Sequence, residues 1–243
     1  MELFFSNEIF ETHLYLKLEE SGHCIKVLRK TNGDVIKVID GKGNLYEGPI
    51  EIENKNKPVK VRIQSKTHFE ASKFQSGFHL AIAPTKNADR MEWLVEKAIE
   101  LGIGSITFLQ CEHSERTNLR LDRIDKIAIA ALKQSQQYWL PKITTPVPFK
   151  NYMNDIKVDE NCFIAYCSEG EKKEFGSNTP SNPLHNGTAY ARVLIGPEGD
   201  FSEKEIEMAL EKGYQAISLG ASRLRTETAA LYACGVYRSM IGV

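Results

Sequence analysis

The hydrophobic pattern changes character once along the chain. Up to about residue 70, apolar positions come in short, strand-like runs. Leu14, Leu16 and Leu18 alternate with polar neighbours. Val35 to Ile39 leads into Asp40-Gly41-Lys42-Gly43-Asn44, and Tyr46 to Ile52 and Val59 to Ile63 follow. Such runs bounded by Gly and Asp predict strands and a hairpin. Pro58 falls at a strand start, where its missing N–H is tolerated. His23 to Arg29 reads as a short helix between the first strands. From Thr67 to Gln75 the period is lost, which places a boundary between a domain of residues 1–70 and one of residues 71–243.

Beyond the boundary, strand and helix alternate. Phe78 to Ala83 is a first strand, ended by Pro84. Met91, Leu94, Val95, Ala98, Ile99 and Leu101 recur at helical spacing, and Gly102 closes that helix. Ser105 to Leu109 is the next strand. Asn118 to about Trp139 reads as a long helix with Leu121, Ile124, Ala128, Ala131 and Leu132 on its buried side. Cys162 to Tyr166 and Arg192 to Ile195 are further strands. Residues 171–189, rich in Lys, Ser, Asn, Pro and Gly, read as a mobile surface loop. The alternation predicts an α/β fold with a mostly parallel sheet.

Two stretches near the C-terminus repeat one design. Val193-Leu194-Ile195 runs into Gly196-Pro197-Glu198-Gly199-Asp200-Phe201-Ser202, and Ser202 with Glu205 reads as a capping box. Gly199 suits a positive φ or a close backbone approach. Ala216 to Leu219 runs into Gly220-Ala221-Ser222-Arg223-Leu224-Arg225, and Thr226 reads as the cap of a last helix carrying Ala229, Ala230, Ala233, Tyr237 and Met240. In a parallel sheet, loops leaving strand carboxyl ends line the ligand crevice. Two ordinary strand-to-helix connections with Gly turns would read the same way.

Composition narrows the function classes. The chain has 243 residues, 42% of them hydrophobic, enough for a sizeable core. No apolar run approaches the length of a membrane span, and no basic segment followed by an apolar core marks a signal peptide. Five scattered cysteines without a Cys-x-x-Cys pair, and histidines without ligand spacing, argue against metal and for a reduced, cytoplasmic setting. No phosphate-binding Gly-x-x-x-x-Gly-Lys loop, strand-linked Gly-x-Gly-x-x-Gly or Gly-x-Ser-x-Gly elbow is present. A net charge of −1 does not by itself suggest nucleic acid. Two basic clusters stand out all the same. His23, Lys26, Arg29 and Lys30 can form a phosphate-facing edge or a solvated polar face. Arg116, Arg120 and Arg123, with Lys86 and Arg90, can contact RNA or pair with Asp122 and Asp125.

Ile195-Gly196-Pro197-Glu198-Gly199-Asp200-Phe201-Ser202 together with Leu219-Gly220-Ala221-Ser222-Arg223-Leu224-Arg225-Thr226-Glu227-Thr228-Ala229 resembles the C-terminal signature of the RsmE family, SPOUT-superfamily methyltransferases of uracil N3 in 16S rRNA. The likeness extends to His23-Cys24-Ile25-Lys26-Val27-Leu28-Arg29, to Asp89 through Gly102 and to Gln134-Ser135-Gln136-Gln137, so it covers nearly the whole chain. It implies a small PUA-like β-barrel that docks RNA, then a SPOUT-type domain with a deep trefoil knot tied over roughly residues 160–243. It implies S-adenosyl-L-methionine as cofactor, 16S rRNA or the small ribosomal subunit as partner, and a homodimer. By the family motif, Ile195, Gly196, Pro197, Gly199, Leu219, Gly220 and Leu224 would hold the cofactor. Arg225 would stabilise the uracil anion, with Glu198 holding Arg225 or accepting the proton. Arg225 could instead form a structural ion pair with Glu198 or Glu227. His23, Lys26, Arg29, Arg90 and Arg116 would contact RNA. One departure is visible: many family members carry an arginine before the N-terminal Phe, and here Leu3-Phe4-Phe5 has none. Two other readings are a SPOUT methyltransferase acting on another RNA and a non-catalytic RNA-binding protein of the same fold.

Overall fold

The computed structural model describes residues 2–115, 119–156, 161–176, 184–185 and 188–242. The chain divides into two compact units. One comprises residues 1–71 with 129–140, and the other residues 72–128 with 141–243.

The first unit is built from β1 (Leu3–Phe5), β2 (Glu8–Ile9), β3 (His13–Tyr15), β4 (Val35–Ile39), β5 (Asn44–Glu51), β6 (Lys60–Arg62) and β7 (Ser65–His68). They form a seven-stranded sheet in the order β1-β4-β5-β6-β3-β2, with β7 also on β5. β4 and β5 are antiparallel across the turn at 40–43, as the sequence predicts. Between β3 and β4 lies α1 (Leu18–Gly22), which continues as a π-helical turn, His23–Val27. Phe4, Leu14, Leu16, Val38, Ile50 and Val61 fill the core. Leu18 departs from the alternation: it begins α1 and is 59% exposed.

Residues 129–140 belong to this unit, which a contiguous division at residue 70 does not anticipate. The reason is local. The Gly43 N–H donates to the Tyr138 carbonyl at 2.9 Å, and the Leu140 N–H to Gly41 at 2.9 Å. Trp139 Nε1 donates to the Phe69 carbonyl at 2.7 Å. Gly43 has φ 86°, and a Cβ there would meet the Trp139 ring at 2.6 Å. Glycine therefore admits the indole.

The second unit contains β8 (Phe78–Ile82), β9 (Ser105–Gln110), β10 (Lys142–Pro148), β11 (Cys162–Ala165), β12 (Lys173–Glu174), β13 (Leu184–His185), β14 (Thr188–Ala189), β15 (Ala191–Ile195) and β16 (Gln215–Ser218). Its helices are α2 (Lys73–Gly77), α3 (Ala88–Glu100), the start of α4 (Leu121–Gln134), α5 (Phe149–Asp155), α6 (Glu203–Glu211) and α7 (Thr226–Met240). The main sheet runs β10-β9-β8-β15-β11-β16-β12, and every pairing in it is parallel. α7 packs against α3 and against β8 and β15, while α5 packs against α6, β9 and β10. Among the described residues, no helix is long and apolar enough to cross a membrane.

Three expectations need correction. α4 stops at Gln134 rather than reaching Trp139, because Gln136 adopts a left-handed φ of 55°. Within the expected loop 171–189, Lys173–Glu174 forms the sheet edge against β16, anchored by buried Phe175 against Phe163 at 5.3 Å. The rest of that stretch lies partly outside the described residues. Thr226 is the first residue of α7 and not its cap; Arg225 takes the cap position and makes no side-chain capping bond. By contrast, Ser202 and Glu205 form the predicted box, and Glu205 Oε1 also accepts the Glu112 N–H at 2.9 Å.

Four cysteines are buried and Cys167 is exposed. Burial raises the Cys24 thiol to about 11 and pushes Cys111 and Cys234 up as well. The thiolate is the reactive form, so iodoacetamide at mildly alkaline pH should alkylate Cys167 alone in the native protein. Peptide mass spectrometry checks this, and rapid native labelling of Cys24, Cys111, Cys162 or Cys234 would contradict the packing. Ser202→Ala should cost about 1 kcal/mol through the lost cap, read as a lower urea midpoint at unchanged slope.

Candidate functional site

β15, β11 and β16 are consecutive in the sheet, in the order β15-β11-β16. Because all are parallel, the loops leaving their carboxyl ends lie side by side. Together they enclose a pocket of about 780 Å³, within the usual range for a small-molecule site. Ile195 to Glu198 and Asp200 come from the first loop, and Tyr166, Cys167 and Lys172 from the loop after β11. Leu219 to Arg225 come from the third, with Thr226 and Ala229 of α7, and Arg90 of α3 completes the wall.

One carboxylate ties two of these loops together. Asp200 Oδ2 accepts the Cys167 N–H at 2.6 Å, and Oδ1 accepts the Phe201 N–H at 2.8 Å. To do this Asp200 adopts φ 65°, a conformation that Asp tolerates better than most residues. The expected freedom of Gly199 serves a different end. Its φ is not positive, it does not line the pocket, and a Cβ there would sit 3.1 Å from the His113 Cβ. Glycine lets the His113 imidazole reach the carbonyls of Gly199 and Asp200, each 3.1 Å from Nδ1. Gly220 does use a left-handed φ, 108°, to turn the third loop.

The expected cofactor residues Ile195, Gly196, Pro197, Leu219, Gly220 and Leu224 all line the pocket. Arg225 lines it too, is exposed, and makes no ion pair among the described residues. Glu198 does not hold Arg225: its Oε1 accepts the backbone N–H of Lys86 at 3.0 Å. Nor does Glu227, which faces Arg90, with Nε to Oε1 at 3.7 Å. Tyr166, Cys167, Lys172 and Asp200 are lining residues that the sequence reading did not assign. The run Cys162 to Tyr166 ending in Cys167-Ser168-Glu169-Gly170 was the available signal.

The basic clusters separate. His23 and Lys26 lie on the π-helical turn and Arg29 just after it, all exposed, and Arg29 has φ 54°. Cys24 points into the core of the same turn. His23 Nε2 lies 3.5 Å from Glu2. Arg90 belongs to the pocket wall. Arg123 pairs with Glu92 at 2.6 Å and Arg120 with Asp122 at 3.4 Å. Arg116 lies outside the described residues. Among the described residues no cluster of His, Cys, Asp and Glu could hold a metal ion.

This pocket can accept a flat heterocycle on main-chain and aliphatic walls, with arginines at its edge. Several known proteins of similar build are methyltransferases. The RNA methyltransferase domain family matches residues 72–238, and the RNA methyltransferase PUA domain matches residues 16–63. Ribosomal RNA small subunit methyltransferase E of Bacillus subtilis is 27% identical over 224 residues, spanning 88% of this chain and 85% of its own. A probable rRNA-methyltransferase from Porphyromonas gingivalis superposes with a TM-score of 0.86 at 34% identity, covering 99% of this chain and 98% of its own. A putative methyltransferase from Legionella pneumophila, solved with its bound cofactor SAM, superposes with a TM-score of 0.83 at 27% identity over 98% and 97% of the two chains. With its pocket at the carboxyl ends of parallel strands and both domains matched, this chain belongs to the RNA methyltransferase family that includes ribosomal RNA small subunit methyltransferase E.

Proposed function

We propose that the protein transfers a methyl group from S-adenosyl-L-methionine to N3 of a uridine in 16S rRNA. The single observation that carries this reading is the pocket of three adjacent loops in a chain of this family. Its volume suits an adenosine with an amino-acid tail. Ile195, Leu219 and Leu224 offer apolar faces for the adenine. Backbone groups of Gly196 and Gly220 offer hydrogen bonds without side-chain bulk, and the Pro197 ring adds an apolar wall. When bound, the cofactor supplies an electrophilic methyl group on a sulfonium.

The chain's own contribution is alignment and charge. Holding donor and acceptor in line removes much of the entropic barrier. A uracil N3 must lose its proton before it can attack, so a cation beside it lowers the barrier. Arg225 fits that role because it lines the pocket and makes no ion pair among the described residues. Glu198, fixed on the Lys86 N–H, fits a structural role better than proton transfer. In the first unit, His23, Lys26 and Arg29 would meet RNA phosphates from one exposed turn. Arg90 would act in the pocket, and Arg116 belongs to this reading by sequence alone.

The reading also includes a barrel of residues 1–70 that docks RNA, a knotted C-terminal path within residues 71–243, a homodimer and a cytoplasmic setting. The passage of the chain from β15 across β11 to β16 supports the knotted path.

Calorimetric titration should show S-adenosyl-L-methionine binding, and 16S rRNA from cells lacking the gene should lose 3-methyluridine by nucleoside mass spectrometry. No binding heat would favour a non-catalytic RNA-binding protein, and an unchanged 3-methyluridine level would remove this substrate. Arg225→Ala should leave cofactor affinity within a few-fold and lower kcat by about 10²–10³; wild-type turnover would refute its role. Asp200→Ala should do the opposite first. Untying two loops should weaken cofactor binding at least about tenfold, the equivalent of about 1.4 kcal/mol.

A further inference from the structure

Arg90 and Glu227 form a pair that the cofactor pocket alone does not explain. Arg90 sits in the first turn of α3 and Glu227 in the first turn of α7. Their side chains are 35% and 8% exposed, with Arg90 Nε 3.7 Å from Glu227 Oε1. Glu227 Oε2 is buried and has no hydrogen-bond partner. A buried carboxylate oxygen left unpaired carries a desolvation cost. Arg90 lines the pocket, and Glu227 stands behind it. Among the described residues the Arg90 Nη atoms make no hydrogen bond, so the donors that remain are those available to a ligand.

We propose that Arg90 is a second cation of the site, one that contacts a carbonyl oxygen of the target pyrimidine, and that Glu227 is the positioning residue that aims it. This rests on the uracil-N3 reading above. N3 of uracil lies between two carbonyl groups. When its proton leaves to solvent, negative charge spreads over N3 and both oxygens. The N3 lone pair then bonds to the methyl carbon, and the carbon–sulfur pair stays on sulfur, turning the sulfonium into a neutral thioether. A guanidinium backed by a buried carboxylate has little net charge to offer a permanent anion such as phosphate. Its oriented N–H donors instead favour an oxygen that becomes negative during the reaction, which is the condition for raising kcat rather than ground-state affinity. Arg225, unpaired, and Arg90, aimed, would thus serve the two sides of one imide.

The test uses the full chain with its RNA substrate and saturating S-adenosyl-L-methionine, following the single-turnover rate against pH, cofactor Kd and melting temperature. Arg90→Ala should lower the rate about 10²–10³-fold and move its pH profile about one unit to the alkaline side, because ionisation of N3 loses its assistance. Cofactor Kd should change less than about threefold. Arg90→Lys should recover part of the rate. Glu227→Gln should lower the rate about tenfold, and should add nothing in the Arg90→Ala background, as coupled residues do. If Glu227→Gln does not fold, Glu227→Asp takes its place in the cycle. An unchanged rate and pH profile in Arg90→Ala would overturn the proposal. So would weakened cofactor binding with full rate at saturation, or additive effects in the double variant. Product analysis is separate: wild-type RNA lacking 3-methyluridine would sink the uracil-N3 reading whatever these ratios are.

Discussion

The Asp200 carboxylate is the interaction on which the pocket depends. Its Oδ2 accepts the Cys167 N–H at the end of β11, and its Oδ1 accepts the Phe201 N–H leading into α6. Two loops that are distant in sequence are thereby held at one spacing. The residue adopts a left-handed φ of 65° to do so, a local cost that is repaid only if both bonds form. On the other side of the same loop, His113 lies against the carbonyls of Gly199 and Asp200. The loop is therefore fixed from two directions. A pocket with main-chain walls needs such fixing, because backbone donors recognise a ligand only if their directions are set beforehand.

The sheet order supplies the other half of the geometry. β11 lies between β15 and β16 although it precedes both in sequence. The chain leaves β15, passes β11 and pairs on its far side, so three loops converge where simple sequential pairing would separate them. Apolar burial stabilises this order: Ile164, Leu194 and Ala81 lie in one core cluster across neighbouring strands. The crevice at the carboxyl ends then follows from parallel pairing.

Much of this was legible in the residues. Apolar runs marked β8, β9, β11 and β15. The Ser202–Glu205 box marked the start of α6, and the paired Gly loops marked two of the three pocket walls. What the sequence hid has physical causes. The left-handed position fell on Asp200 rather than on Gly199, because Asp can reach that conformation and Gly199 is needed for its lack of a Cβ beside His113. The end of α4 rests on a left-handed Gln136, and the placement of residues 129–140 on Trp139 filling the space over Gly43, a contact nearly a hundred residues apart. The short edge strand β12 has no period to detect and is held by one side chain, Phe175. Charge pairing was the least legible of all. Helix spacing offered Arg120 and Arg123 as a basic face, but tertiary packing gave Arg123 to Glu92 and Arg90 to Glu227.

That redistribution bears on how a chain of net charge −1 can serve RNA. Long-range attraction to a polyanion scales with net charge and fades with salt. Some of the described cations are paired locally: Lys86 with Glu115, Lys97 with Glu96 and Glu100, Lys37 with Glu47. Those left without an ion pair include Lys26 and Arg29 beside the π-helical turn and Arg225 in the pocket. With no net positive charge to draw on, recognition of a polyanion has to act at short range, where position decides more than number. The π-helical turn and the left-handed φ of Arg29 fix where exposed cations stand, and Glu227 lies against Arg90 in the same way. The same logic runs through the pocket itself, where a fixed backbone does what a surplus of charge would otherwise do.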